Sequence, residues 1–179
     1  ADDDGGRVPN TPRGKYVREF DHQSNADWRG TKADIYEGGH RVPFLIRWPA
    51  RVEAGQVSEA LVELTDLFAT VEEIVSIEGE GTSGMDSFSM LRLRLGKKGT
   101  VRPFSVHHSL AGMFALRKES WKMIEGRGSG GFTRPRSAAD FEDEVRGQLY
   151  DLENDPQETT NRWQEEGEGR TYQPNTAPN

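Results

Sequence analysis

Gly112-Met113-Phe114-Ala115-Leu116-Arg117-Lys118-Glu119-Ser120-Trp121-Lys122-Met123-Ile124-Glu125 reads as a β-hairpin. Two runs rich in aromatic and aliphatic side chains, 112–117 and 121–125, flank the tight Lys118-Glu119-Ser120 connection. A connection that short between two such runs selects antiparallel pairing. Upstream, Phe104 to His108 supplies a third strand. Downstream, Gln148-Leu149-Tyr150-Asp151-Leu152 alternates in polarity and supplies a fourth. Together they predict a small antiparallel sheet with a helix on one face. Residues 126–146 are rich in glycine, arginine and acids and read as flexible. Asn154-Asp155-Pro156 marks a turn, with a short helical piece after it, and the polar tail from Gly167 is expected to be disordered.

Toward the N-terminus the pattern changes near residue 100. Val42-Pro43-Phe44-Leu45-Ile46-Arg47-Trp48 is a continuous apolar run ended by Pro49, the mark of a strand buried on both faces of a parallel sheet. Pro43 fits only at its start, where a missing N–H is tolerated. Ala60 to Leu64 predicts a second short strand. Leu67, Phe68, Val71, Ile74 and Val75 recur as one apolar stripe, predicting a helix over 66–77. Thr65 fits its N-cap, Asp66 suits the first-turn dipole, and Gly79 and Gly81 stop it. Ser87 to Leu95 is a short element among Gly- and Ser-rich loops, and residues 1–31 form a long loop of turn formers. The fold class is α/β, the end of an α/β domain followed by a small antiparallel subdomain with a helix. The expected division is 1–100, 101–165 and a tail at 166–179.

Composition narrows the function. The 179 residues carry a net charge of −7, which opposes a general nucleic-acid binder. That acidity is local: residues 138–168 hold eleven acids against Arg146 and Arg162, whereas residues 7–51 hold nine bases against five acids. The basic part suits an anionic substrate. There is no cysteine, which removes disulfides, thiolate metal sites and thiol nucleophiles. No apolar run reaches the roughly 18 residues of a membrane span. The chain opens at Ala1 without a signal peptide, as expected of a mature form or a piece of something longer.

A few residues carry chemistry. Asp2-Asp3-Asp4-Gly5-Gly6 offers adjacent carboxylates to a hard divalent cation, which needs further oxygen ligands from elsewhere. Lys32 borders the first ordered strand, where open α/β sheets bind ligands, and offers a compact cation to an oxyanion. In Glu37-Gly38-Gly39-His40-Arg41-Val42-Pro43-Phe44 the two glycines allow a sharp positive-φ turn, and Glu37 or Arg41 suits a structural ion pair. His22 lies in the long loop; His107 and His108 are adjacent on a strand and so face opposite sides. No nucleophile elbow, phosphate-binding glycine loop or His-Glu-x-x-His motif is present.

Asp3-Asp4-Gly5, Lys32 through Phe44, Thr65-Asp66-Leu67, Met85-Asp86-Ser87-Phe88-Ser89, Trp121-Lys122, and Gln148-Leu149-Tyr150-Asp151-Leu152 with Asp155-Pro156-Gln157-Glu158 form one series. It resembles the C-terminal part of an arylsulfatase-type sulfatase of the alkaline phosphatase superfamily, most like bacterial members, over about residues 2–162. The resemblance implies an alkaline-phosphatase-like α/β domain and calcium held by Asp3, with Asp4 on a position the family fills with asparagine. It implies that Lys32 contacts the sulfate and that Glu37, Gly38, Gly39 and Arg41 are structural; His22 and His107 stand beside Lys32 as candidate substrate-binding residues from the residue reading. Formylglycine is the family's nucleophile, made within Cys-x-Pro-x-Arg or its serine form. With no cysteine, and only Pro49-Ala50-Arg51 as Pro-x-Arg, that nucleophile is expected upstream of this chain.

The resulting expectation is a fragment of a sulfuric ester hydrolase, inactive alone, whose intact form acts on a small-molecule or glycan sulfate ester. Its compartment by resemblance is periplasmic or extracellular, with no nucleic-acid or membrane partner. Two alternatives stand beside it. One is a fragment of a related phosphodiesterase or phosphonate hydrolase, distinguished by its upstream nucleophile. The other is a non-catalytic anion- or carbohydrate-binding module, distinguished by calcium-independent glycan binding.

Overall fold

The computed structural model describes residues 25–75, 86–93 and 100–164. They fall into two compact units, one joining the residues up to Arg41 with those from Val106 onward, the other spanning Val42–Ser105. Among the described residues no helix is long and apolar enough to cross a membrane.

The first unit is built on a four-stranded sheet of order β1-β2-β3-β4, made of β1 (Ser105–His108), β2 (Phe114–Lys118), β3 (Trp121–Ile124) and β4 (Gln148–Asp151). All four strands lie where the alternation predicts them. Lys118 stands opposite Trp121, so the hairpin loop is Glu119-Ser120, and Glu119 takes the positive φ of 55° that a loop this tight requires. β3 and β4 are also antiparallel, with Lys122 opposite Tyr150 and Ile124 opposite Gln148. Period-two geometry puts Lys122 and Ile124 on one face of β3 and Gln148 and Tyr150 on the matching face of β4. Ile35 and Tyr36 pack there with Ala115, Ile124 and Tyr150 as the core of this unit.

Three expectations for this unit are corrected. Residues 126–146 read as flexible, yet they are built in: Arg127 and Ser129 are buried, and Arg127 ion-pairs with Asp143 and lies over the Phe141 ring at 3.9 Å. Gly128 allows this, because a Cβ there would stand 2.5 Å from the Arg136 carbonyl carbon. Gly38-Gly39 is not a positive-φ turn but the middle of a one-turn helix, α1 (Glu37–His40). Glycine is required there by close approach: a Cβ on Gly38 would meet the Arg29 carbonyl oxygen at 2.6 Å, and one on Gly39 the Asp34 carbonyl oxygen at 2.2 Å. Directly after Pro156 the described residues turn rather than coil into a helix, and helical residues stand only at 163–164; the Asp155 carboxylate accepts the N–H groups of Thr159 and Thr160 at 3.0 and 2.8 Å, and Glu158 turns inward with φ 55°.

The second unit contains α2 (Asp66–Val75); its predicted end at 77, with Gly79 and Gly81, lies outside the described residues. Val42–Trp48 and Ala60–Leu64 join no ladder among the described residues. A strand's N–H and C=O groups need a neighbouring strand, and the described residues place none beside them. Leu45 is accordingly 88% exposed, and Leu67, Phe68, Val71, Ile74 and Val75 on α2 stay between 41% and 53% exposed. What orders this unit is polar. Arg102 is buried and donates to Asp66 Oδ1 at 3.0 Å and Oδ2 at 3.2 Å, and to the Asp86 carbonyl at 2.8 Å. Asp66 Oδ1 also accepts the Phe88 N–H at 2.9 Å. Asp66 is thus a buried anchor rather than only a dipole partner. The predicted Ser87–Leu95 element is a loop with a turn at 91–93 as far as it is described.

Candidate active site

Lys32 is exposed on a turn that runs from Thr31 to Asp34. The turn closes on itself: Asp34 N–H donates to the Thr31 carbonyl at 2.9 Å, and Thr31 N–H to Asp34 Oδ2 at 2.7 Å. Ala33 sits at φ 86°, a conformation an L-residue holds only when its surroundings enforce it. Here they do. The Ala33 carbonyl accepts Leu110 N–H at 2.9 Å, and Ile35 N–H donates to the Ser129 carbonyl at 2.8 Å.

Asp34 is the centre of that enforcement. It is fully buried, and its carboxylate accepts Phe132 N–H at 2.7 Å, Thr133 N–H at 3.1 Å and the Thr133 hydroxyl. A buried carboxylate is tolerated only with such a complete set of donors. Gly131 makes room for it, since a Cβ there would lie 2.4 Å from Asp34 Oδ1. The loop between β3 and β4 therefore holds the base of the Lys32 turn.

Behind the turn lies a buried charge network. Lys122, 0% exposed, pairs with Glu37 Oε1 at 3.1 Å and Glu158 Oε1 at 2.9 Å. Glu37 Oε2 takes Arg41 at 2.9 Å and Arg117 at 3.0 Å, the structural ion pair its position suggested. Burial alone would raise the Glu37 carboxyl, but Lys122 and Arg117 outweigh it and hold it down at about 2. For Glu158 burial prevails over Lys122 and lifts its carboxyl above the ordinary range. Arg29 lies 3.9 Å over the Tyr36 ring and donates to the Tyr150 hydroxyl and the Glu158 carbonyl. Burial raises both tyrosine hydroxyls.

Of the sequence-predicted site residues, Lys32 stands on this turn, and His107 lies on β1 with its ring 4.1 Å from that of His40. Burial and the nearby Lys122 push His107 down to about 3 and lower His40 as well. Asp3, Asp4 and His22 lie outside the described residues. Among the described residues no three His, Asp or Glu side chains gather as a metal site. Sequence reasoning missed Asp34, Lys122 and Glu158. Gly131 and the Gly38-Gly39 pair were the available signal for the first, since glycine marks a close approach.

The small antiparallel sheet and the turn before α1 lie within the stretch over which this chain resembles the C-terminal region of sulfatases. The chain belongs to the family described as N-sulphoglucosamine sulphohydrolase, C-terminal, whose model matches residues 26–173. It is 32% identical over 148 residues to an N-acetylgalactosamine-6-O-sulfatase of Bacteroides thetaiotaomicron, covering 78% of this chain and 27% of that protein. It is 34% identical over 95 residues to the steryl-sulfatase of Mus musculus, covering 52% of this chain and 15% of that one. Among solved structures, a sulfatase from work on glycosaminoglycan metabolism by Bacteroides thetaiotaomicron superposes with a TM-score of 0.71 at 29% identity, covering 88% of this chain and 32% of the other. The PsFucS1 sulfatase of a Pseudoalteromonas species gives 0.60 at 26% identity, over 75% and 28%. The chain thus spans about a quarter of the first of these relatives and less of the second.

Proposed function

We propose that this chain is the C-terminal part of a calcium-dependent sulfatase that hydrolyses a sulfate ester, with Lys32 as the cation that contacts the sulfate. The observation that carries this reading is the Lys32 turn itself, held with its ammonium exposed by buried Asp34 inside the stretch that the family covers. Sulfate-ester cleavage needs a nucleophile, a cation for the oxyanion and an acid for the leaving oxygen. This chain supplies part of the second requirement. By the family resemblance, Asp3 and Asp4 hold calcium, which balances charge on the sulfate, and the formylglycine nucleophile comes from outside this chain.

The substrate class is a sulfated glycan or an aryl sulfate, and the compartment periplasmic or extracellular. The glycan reading is supported by the 32% identity to a sulfatase named for N-acetylgalactosamine 6-O-sulfate. A direct test is titration of the chain with inorganic sulfate, followed by amide NMR. Sulfate is expected to shift the amides of residues 31–35, and Lys32→Ala to abolish the effect. Unchanged sulfate binding in Lys32→Ala refutes the assignment. The chain by itself, given calcium and a chromogenic aryl sulfate, is expected to show no turnover.

A further inference from the structure

Two loops close on the Lys32 turn at consecutive residues. Leu110 N–H of the β1–β2 loop donates to the Ala33 carbonyl at 2.9 Å, and Phe132 N–H of the β3–β4 loop donates to Asp34 Oδ1 at 2.7 Å. The loops are also joined to each other, through Ala111 N–H on the Gly130 carbonyl at 2.9 Å. Neither has slack there. A Cβ on Gly130 would stand 2.2 Å from Ser109 Oγ, and one on Gly131 2.5 Å from the Ala33 carbonyl oxygen. The tip that carries Phe132 is closed from within as well: Gly131 N–H donates to the Ser129 hydroxyl at 3.0 Å, and Arg136 Nε–H to the Phe132 carbonyl at 3.3 Å.

This pinned backbone holds apolar side chains out of the core. Phe132 is 44% exposed and Leu110 67%, and neither joins Ile35, Tyr36, Ala115, Ile124 and Tyr150 in the core of the unit. A lone apolar residue on a surface needs no explanation. Here the two are anchored at neighbouring positions of one turn, and that turn carries the exposed Lys32. A cation beside apolar surface suits a ligand of matching halves, an anionic group on a ring. We propose that Phe132 is a specificity-determining residue of the Lys32 site, its ring taking the face of the sugar or aryl ring that bears the sulfate, with Leu110 adding apolar surface beside it. This rests on the reading of Lys32 as the sulfate-contacting cation. Because the two loops are fixed before the ester arrives, little ordering is left to pay on binding. An ester without a ring engages only the lysine; a ring-bearing ester engages both.

Amide NMR titrations of the full 179-residue chain test this. The probes are methyl sulfate, which has the charge of an ester but no ring, 4-nitrophenyl sulfate and N-acetylgalactosamine 6-sulfate. At least one ring-bearing ester is expected to bind the parent chain about fivefold more tightly than methyl sulfate, and Phe132→Ala to remove that advantage. Methyl sulfate should bind Phe132→Ala within about twofold of the parent chain, because alanine keeps the backbone N–H that Asp34 accepts. Phe132→Tyr keeps the ring and should keep the preference. An advantage confined to one of the two esters supports the proposal and says whether the ring is a sugar or an aryl group. Ring-bearing esters that bind no tighter than methyl sulfate overturn it, and so does a Phe132→Ala chain that retains the preference or loses all three probes equally. Retention of all three by Lys32→Ala is a different failure: it removes the function reading, while the ratio of ring-bearing ester to methyl sulfate still judges Phe132.

Discussion

Glu158 Oε2 accepts the backbone N–H of Glu37 at 2.7 Å, joining residues 121 apart in the chain. The other oxygen of Glu158 pairs with Lys122, which also holds Glu37. One carboxylate thus ties the C-terminal turn after Pro156 to the start of α1 and to the middle of β3. The Lys32 turn is the segment just before α1, so its foundation is a contact that closes only when the last described part of the chain has docked.

Removing Lys122 should expose how much this costs. Lys122→Met leaves two buried carboxylates without their cation and is expected to destabilise the first unit by about 3–5 kcal/mol. Adding Glu158→Gln should recover part of the loss, because only Glu37 then needs compensation, and Arg41 and Arg117 remain. Urea unfolding of the two single variants and the double variant gives the coupling; strictly additive losses would contradict the network.

Asp34→Ala strips the acceptor from Thr31, Phe132 and Thr133 at once. Loss of at least about 3 kcal/mol is expected from buried donors left without a partner. Asp34→Asn keeps the shape and one acceptor oxygen and should cost less. Hydrogen exchange should show Phe132 and Thr133 amides losing protection first; unchanged protection at those two amides would refute the role given to Asp34.

Two glycine substitutions separate close approach from backbone strain. Gly39→Ala would drive a methyl to 2.2 Å from the Asp34 carbonyl oxygen, and should both destabilise the unit and shift the amides of residues 31–35. Gly112→Ala meets nothing within 4 Å but must hold φ +80°, so a cost of about 1–2 kcal/mol is expected with the Lys32 turn unmoved. Thermal melts with amide NMR distinguish them.

Acid should weaken the fold. His107 falls from 6.5 to about 3 in the folded chain, so the unfolded chain takes up this proton first as pH drops. The stability it contributes is whole above pH 6.5 and is lost progressively from there toward about pH 3. His40 acts with the same sign, and Glu37 does so between 4.5 and about 2. Glu158 opposes them: raised above 4.5, its contribution is whole below that pH and fades as pH rises. Urea midpoints should therefore be lower at pH 4.5 than at pH 7, with a smaller drop in His107→Asn. A midpoint that rises on acidification would contradict the sign.

The α2 stripe should bind a hydrophobic dye in the native state. Phe68 and Val71 are 48% and 53% exposed, and replacing both by Glu should reduce fluorescence of the bound dye while the ellipticity of α2 persists. Unchanged fluorescence would place the apolar surface elsewhere.

The strands and the Glu119-Ser120 loop were readable because alternation and turn chemistry are local: each is set by neighbours two or three residues away. The helix over 66–75 was readable for the same reason. Lys122 was not. A lysine inside an alternating strand looks like a solvent-facing residue until two glutamates, 85 positions before it and some 36 after it, are folded against it. The 126–146 segment failed similarly, since its order comes from Asp34, nearly a hundred residues upstream, and not from any period of its own.

By itself, then, the chain of residues determined four strands, one helix and a lysine ahead of Glu37-Gly38-Gly39. Tertiary structure alone decided which charges went inside, why Gly38 and Gly39 must lack a Cβ, and that two histidines stack behind the turn. The division has one cause. Hydrophobic period and turn propensity act over a few residues, whereas burying a charge or a close-packed backbone depends on partners that only the completed fold brings within hydrogen-bond range.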